Sequence, residues 1–255
     1  MHAILLSTLL ALGSAKAAQV SDVDAMAVSY RVWQNEAGGS SRGLTHWNVG
    51  EDFASLGIGH FIWYTEGKRG PFEETFPRLL AYMEERGVVL PDWLKGQPAC
   101  PWQDRAAFRR DLDGPKLEEL RNLLTSTLDI QARFMADRLE RALPAMLEAA
   151  PFARRNRVRA RFGELLSQGQ GLYALIDYVN FKGEGVSPTE RYNGRGWGLL
   201  QVLLDMRGER TGASAVSEFS RAAKLVLTRR VRNSPPARGE SRWLAIWRRR
   251  VRTYA

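Results

Sequence analysis

Cysteine is nearly absent. Cys100 is the only one in 255 residues, so no internal disulfide can form and the chain depends on its core for stability. Its setting, Pro98-Ala99-Cys100-Pro101, offers no second thiol for redox chemistry, and the residue reads as a small apolar side chain. Histidine is as scarce: His2, His46 and His60 are scattered, without the spacing of a metal site, so neither a metal nor a cofactor is expected. Beyond the N-terminus no charge-free apolar run approaches transmembrane length. Internal repeats and low-complexity tracts are missing too.

What is present is a chain of globular composition, 44% apolar and 25% charged, enough for one sizeable core. Lysine and arginine number 37 against 28 acidic residues, a net charge of +9. A basic surface suits an anionic partner, whether nucleic acid, a membrane surface or an anionic cell-wall polymer. Ala3 to Gly13 is an apolar run of signal-peptide length, and Ala15-Lys16-Ala17 supplies a small-x-small cleavage site. A signal peptide over 1–17 and a periplasmic or secreted protein are therefore expected; the competing reading is a buried N-terminal helix. Residues 18–255 are expected to form a single, monomeric domain.

That domain opens with a helix over 22–36, capped by Ser21 or Asp22. Val23, Met26, Ala27, Tyr30 and Trp33 recur at helical spacing as an apolar stripe, and Glu36 continues it toward the core. A glutamate there is desolvated, which favours its protonated form; the competing reading is a structural ion pair at a helix end. A Gly- and Ser-rich segment follows. Leu44, Trp47 and Val49 hint at a strand, Val49-Gly50-Glu51-Asp52 at a turn, and Phe61-Ile62-Trp63-Tyr64 at a second strand, giving a small hairpin lobe over 44–64. Gly57 and Gly59 allow close approach of backbone or ligand.

Glu36 at a helix end, then a hairpin, then Ser55-Leu56-Gly57-Ile58-Gly59-His60, resembles the phage-type lysozymes. The resemblance aligns Glu36 with that family's catalytic acid, Ser55 with its threonine, Gly57 and Gly59 with its glycine pair, and His60 with its histidine. The spacing from Glu36 to Ser55 is longer than in that family, and the position of its aspartate falls near Asn48 and Val49, neither of them acidic. Glu51 is the first choice for the second catalytic carboxylate, with Asp52, Glu184 and Glu190 as the other candidates. Ala174 to Gly185 resembles the central helix of those lysozymes and the turn after it. Asn193-Gly194-Arg195-Gly196-Trp197-Gly198-Leu199-Leu200-Gln201-Val202 is similar to the cleft-lining segment of goose-type lysozymes and lytic transglycosylases. The resemblance implies an α+β, mostly α, lysozyme-like fold with a small β-hairpin lobe beside a helical part, 72–255.

Within that part, Phe72–Gly87, Trp102–Arg110 and Ala153–Gln168 read as helices, the last a basic one with a solvated face (Arg154, Arg155, Arg157, Arg159, Arg161). Pro115–Leu143 reads as one long amphipathic helix with Pro115 in its first turn. Lys182 to Gly198 is a glycine-rich connection in which Tyr192, Asn193 and Trp197 can contact sugars; an ordinary inter-helix loop is the competing reading. The C-terminal segment reads as a closing helix with Trp243 and Trp247 inward and its arginines outward.

The function expected from these residues is cleavage of the peptidoglycan glycan strand. Glu36 donates a proton to the leaving oxygen. Glu51 and Ser55 position the water, while His60, Trp47, Asn48, Tyr192, Asn193, Trp197 and Gln201 bind the sugar. If no second carboxylate is in place, attack by the sugar's own 6-hydroxyl gives lytic transglycosylation instead. The alternative is a non-catalytic, basic protein that binds peptidoglycan or a related anionic wall glycan. A nucleic-acid partner lacks a recognition motif.

Overall fold

The computed structural model describes residues 21, 27, 28, 30, 31, 33, 39–70, 72–97 and 99–255; the expected signal peptide and Glu36 lie outside them. The described residues form an α+β, mostly helical protein with a small antiparallel sheet near its N-terminal end.

Of the expected helix 22–36, Ala27, Val28, Tyr30, Arg31 and Trp33 are described, and all five are helical. Val28 is buried and Trp33 half-buried, whereas Ala27 and Tyr30 of the expected stripe are exposed; Val23 and Met26 lie outside the described residues. Arg31 lies over the Tyr173 ring, 4.9 Å from its centroid, and hydrogen-bonds Gln170, which ties this helix to the core by its polar edge.

The lobe over 44–64 is a three-stranded sheet, one strand more than a hairpin. Strands β1 (Thr45–His46), β2 (Phe53–Leu56) and β3 (Phe61–Tyr64) lie antiparallel in that order. The register pairs Leu56 with Phe61 and Ala54 with Trp63, so these four share one face and all are buried. His46, Ser55 and Ile62 share the other face. Val49 belongs to the turn before β2 and is exposed, and the Trp47 indole closes that turn by donating to the Glu51 carbonyl at 2.8 Å.

The helices are α1 (Phe76–Glu84), α2 (Arg105–Arg110), α3 (Pro115–Ser126), α4 (Leu128–Ala149), α5 (Arg155–Leu166), α6 (Gly169–Lys182), α7 (Leu199–Asp205), α8 (Gly212–Asn233) and α9 (Leu244–Arg252). The helix expected from Phe72 begins only at Phe76, because residues 73–75 run along the sheet instead. The Ile62 amide donates to Thr75 Oγ1 at 3.0 Å, and the Tyr64 amide to Glu74 Oε1 at 2.8 Å.

The helix expected over Pro115–Leu143 is broken at Thr127, whose φ of −121° and ψ of 27° interrupt the α-helical path. The fully buried Gln131 stabilises the break. Its amide donates to the Leu124 carbonyl at 2.7 Å and to the Thr127 carbonyl at 3.2 Å, while its oxygen accepts from the Ile58 amide at 3.0 Å. One side chain thus satisfies carbonyls freed at the helix break and fixes the turn between β2 and β3.

Helix α6 is the centre of the helical part. Gly171 through Val179 are buried without interruption, as expected for a helix surrounded on all sides. Helices α4, α5, α7 and α8 pack against it. The long helix α8, which has no counterpart among the expected elements, carries much of the remaining core through Phe219, Ala222, Ala223, Val226 and Leu227. Two groups of arginines expected to face solvent are partly turned inward. In α5, Arg161 is buried and donates to the carbonyls of Leu203 at 2.6 Å and Gly208 at 3.2 Å. In α9, Arg250 holds the buried Asp177 of α6 with two hydrogen bonds, of 3.0 and 2.7 Å. Among the described residues, no helix is long and apolar enough to cross a membrane.

Candidate functional site

A cleft of about 660 Å³ runs between the sheet and the loop that follows α6. Its sheet wall is the turn 57–60. Gly57 has φ of +68°, and a Cβ there would lie 2.4 Å from Gln131 Oε1; a Cβ on Gly59 would lie 2.6 Å from the Phe61 ring. The two glycines are therefore required sterically, Gly57 also by its left-handed backbone. His60 ends the turn at φ of +49°, an uncommon conformation for a non-glycine residue, and lines the cleft.

The opposite wall comes from residues 183–197. Strands β4 (Arg191–Tyr192) and β5 (Arg195–Gly196) form a two-residue hairpin, and both turn residues, Asn193 at φ of +50° and Gly194 at +70°, are left-handed. Asn-Gly is the preferred pair for such a turn. Asn193 is exposed at its tip and does not line the cleft, whereas Tyr192 and Trp197 do. Their rings lie 4.6 Å apart, and the Trp197 ring is backed by the Arg230 guanidinium at 4.1 Å.

Gln201 is likewise not a cleft residue. It accepts from the Gly198 amide and donates to the Gly185 carbonyl, both at 2.9 Å, and so fastens the ends of this loop. The sequence expectation of a sugar-binding Gln201 is replaced by this positioning role. Trp47 is buried beneath the turn before β2 and does not reach the cleft either.

Three carboxylates face the cleft: Glu73, Glu184 and Glu190. Arg138 of α4 bridges two of them, donating to Glu184 at 2.9 Å and to Glu73 at 3.2 Å. Burial would raise the Glu184 pKa, but the hydrogen bond and charge of Arg138 outweigh it and hold the carboxyl below the usual range. Glu190 is in the opposite position. Burial and then repulsion from Glu184 push it above the usual range, with Arg138 and Arg230 only partly offsetting them. One cleft thus holds one carboxyl kept ionised and one biased toward protonation. Neither Arg138 nor Glu73 was singled out in the sequence, because both are charged residues without a motif and come together only through packing.

The other expected carboxylates lie outside the cleft wall. Glu51 is half-buried, and its carboxylate accepts from the Asn48 amide at 2.9 Å. Burial raises its pKa, opposed by Asn48 and by the charge of His60. His60 lines the cleft, with the His46 ring 6.3 Å away. Asp52 is exposed and paired with Lys68 at 3.2 Å. Ser55 is buried on β2, on the same sheet face as Ile62, and does not line the cleft. Cys100 is buried, and burial pushes its thiol up to about 12, which leaves it inert near neutrality. Among the described residues no group of three or more His, Cys, Asp and Glu side chains comes together in a manner that would hold a metal ion.

No family model, curated protein or solved structure matches this chain.

Proposed function

We propose that the protein cleaves a glycan strand, that of peptidoglycan, by general acid catalysis in this cleft, after export directed by residues 1–17. The observation that carries this reading is the pair Glu184 and Glu190 in one cleft, the first hydrogen-bonded by Arg138 at 2.9 Å and the second half-buried, environments that bias the two carboxyls in opposite directions. A protonated carboxyl can supply the proton to the leaving oxygen, and an ionised one can stabilise the positive charge that develops on the sugar ring or activate a water. Tyr192 and Trp197 provide aromatic surface beside them for a sugar ring. The environment of Glu190 favours it as the donor; the lysozyme-like motif favours Glu36. Hydrolysis and transglycosylation share this first step and differ in the attacking hydroxyl.

Clearing of purified sacculi by the wild type and by Glu190→Gln, Glu36→Gln and Glu184→Gln tests the reading. Replacing the proton donor is expected to slow clearing by about 100-fold or more. Mass spectrometry of the products separates reducing ends from anhydro ends. No clearing by the wild type, or equal clearing by all four proteins, overturns the proposal. Binding of sacculi without clearing would instead support the non-catalytic wall-binding reading, which the cationic end of the cleft (Lys182, Arg230, Arg238) favours.

A further inference from the structure

Part of the cleft lining is built from cations and aromatic rings. Lys182, the last residue of α6, places its ammonium 3.9 Å from the centroid of the Phe181 ring and 3.7 Å from that of the Trp247 ring. Arg230 lies 5.0 Å from the Trp247 centroid, and Arg250 lies 4.4 Å from that of Phe181.

The two guanidiniums are already committed. Arg230 makes a two-point pair with the buried Glu240, both hydrogen bonds 2.8 Å long, and Glu240 also accepts from Tyr192 at 2.9 Å. Arg250 is held by Asp177. The Lys182 ammonium has no hydrogen bond or ion pair among the described residues, although the half-buried residue is part of the cleft lining. Burial, then the charges of Arg230 and Arg250, push its pKa well below the ordinary lysine value. An ammonium among rings and other cations, with Glu240 spent on Arg230 and Tyr192, is under-compensated, and a ligand anion beside it would stabilise its charged form.

We infer that Lys182, with Arg238 at the rim, receives a carboxylate carried by the bound sugar, so that the cleft prefers acidic glycans to neutral ones. A monoanion fits better than a phosphate dianion, because Lys182 supplies one ammonium without an ion pair among the described residues and the ionised Glu184 shares the cleft. The inference rests on the glycan reading of the cleft and narrows its substrate. In a peptidoglycan strand the lactyl group of muramic acid presents such a carboxylate wherever no stem peptide is attached, so stripped strands are the implied substrate.

Two tetrasaccharides test this at neutral pH with the full chain: a peptide-free alternating strand of N-acetylglucosamine and N-acetylmuramic acid, and tetra-N-acetylchitotetraose, which lacks the lactyl carboxylates. The wild type is expected to bind the acidic one at least about tenfold more tightly, a preference worth about 1.4 kcal/mol. Lys182→Met is expected to bring the two within about twofold of each other. The methyl ester of the acidic ligand, which needs no protein variant, is expected to bind the wild type like the neutral one. Equal wild-type affinities, equal binding of acid and ester, or a preference that survives in folded Lys182→Met would overturn the inference; the last would leave Lys182 a cation that only joins α9 to α6. Cleavage is read separately, from the products of the peptide-free acidic strand. Preference without cleavage removes the cleavage reading and keeps the carboxylate receptor, and cleavage without preference does the reverse.

Discussion

Gln131→Leu is expected to destabilise the protein severely, although the two side chains are close in size. Gln131 is fully buried, and each end of its amide is used. The oxygen accepts from the Ile58 amide at 3.0 Å, and the nitrogen donates to the Leu124 carbonyl at 2.7 Å and is shared between the Thr127 carbonyl and hydroxyl, both at 3.2 Å. Leucine removes the donors and the acceptor together and leaves the buried Ile58 amide and the Leu124 carbonyl unpaired. Each such group costs about 1–3 kcal/mol, so the loss should be about 2–6 kcal/mol. Against a total stability of about 5–15 kcal/mol for a typical native protein, that is a large fraction. Guanidinium unfolding of the two proteins side by side measures it, as a lower midpoint with the slope unchanged. A loss below about 1 kcal/mol would refute the reasoning, since it would mean that the turn 57–60 and the break at Thr127 are held by something other than this amide.

Other substitutions test separate parts of the structure. Gly57→Ala is expected to cost at least about 1–2 kcal/mol from its left-handed backbone alone, with the clash against Gln131 added, and thermal unfolding reads it. Asp177→Ala leaves Arg250 without its buried partner; a loss of about 3–5 kcal/mol is expected, with α9 becoming susceptible to protease before the rest of the chain. Asn193→Gly should leave sugar binding within about twofold of wild type, because the residue serves the Asn-Gly turn and either residue tolerates positive φ; a large loss in a binding titration would restore Asn193 as a sugar contact.

Much of the architecture was legible where one local pattern dominates. Pro115, Leu117, Leu120 and Leu124 marked α3, the resemblance of Ala174–Gly185 to a lysozyme helix marked the later part of the central one, and the Gly57–Gly59 pair marked the turn that forms the sheet wall of the cleft. The failures share a cause. Thr127 and Leu128 look like continuing helix because the apolar spacing does run on across them, and the break is stabilised by Gln131 bonding to a turn far away in sequence. Tyr30 fits an apolar stripe yet faces solvent. Gln201, expected to contact sugar, spends its amide on Gly185 and Gly198. Arg138, Glu73, Arg230 and Glu240 are charged residues in charge-rich helices and loops, and only tertiary packing separates them from the many solvated arginines around them. Asn193 was likewise expected to contact sugar, although the Asn193-Gly194 dipeptide is itself a turn signal and the residue forms the hairpin tip.

The opposed environments of Glu184 and Glu190 lead to a prediction in which stability and activity run in contrary directions. The Glu190 carboxyl is raised in the folded state, by burial first and by Glu184 second. A raised carboxyl means that the fold favours the protonated form. Its contribution is fully present below the unfolded-state value and is lost as pH rises through the raised folded value. At neutral pH the ionised carboxylate is therefore a burden, and Glu190→Gln, which keeps the shape and removes the charge, should make the protein more stable there. The gain should vanish at pH values below the ordinary glutamate range, where both proteins are uncharged at this position. If Glu190 is the proton donor, the same variant loses clearing activity, and wild-type activity falls over the same rising pH interval in which the stability difference grows. Guanidinium unfolding of both proteins across pH, beside clearing rates for the wild type, measures the two curves. A variant no more stable than wild type at neutral pH would mean that Arg138 and Arg230 already compensate the charge, and the case for Glu190 as the acid would fall with it.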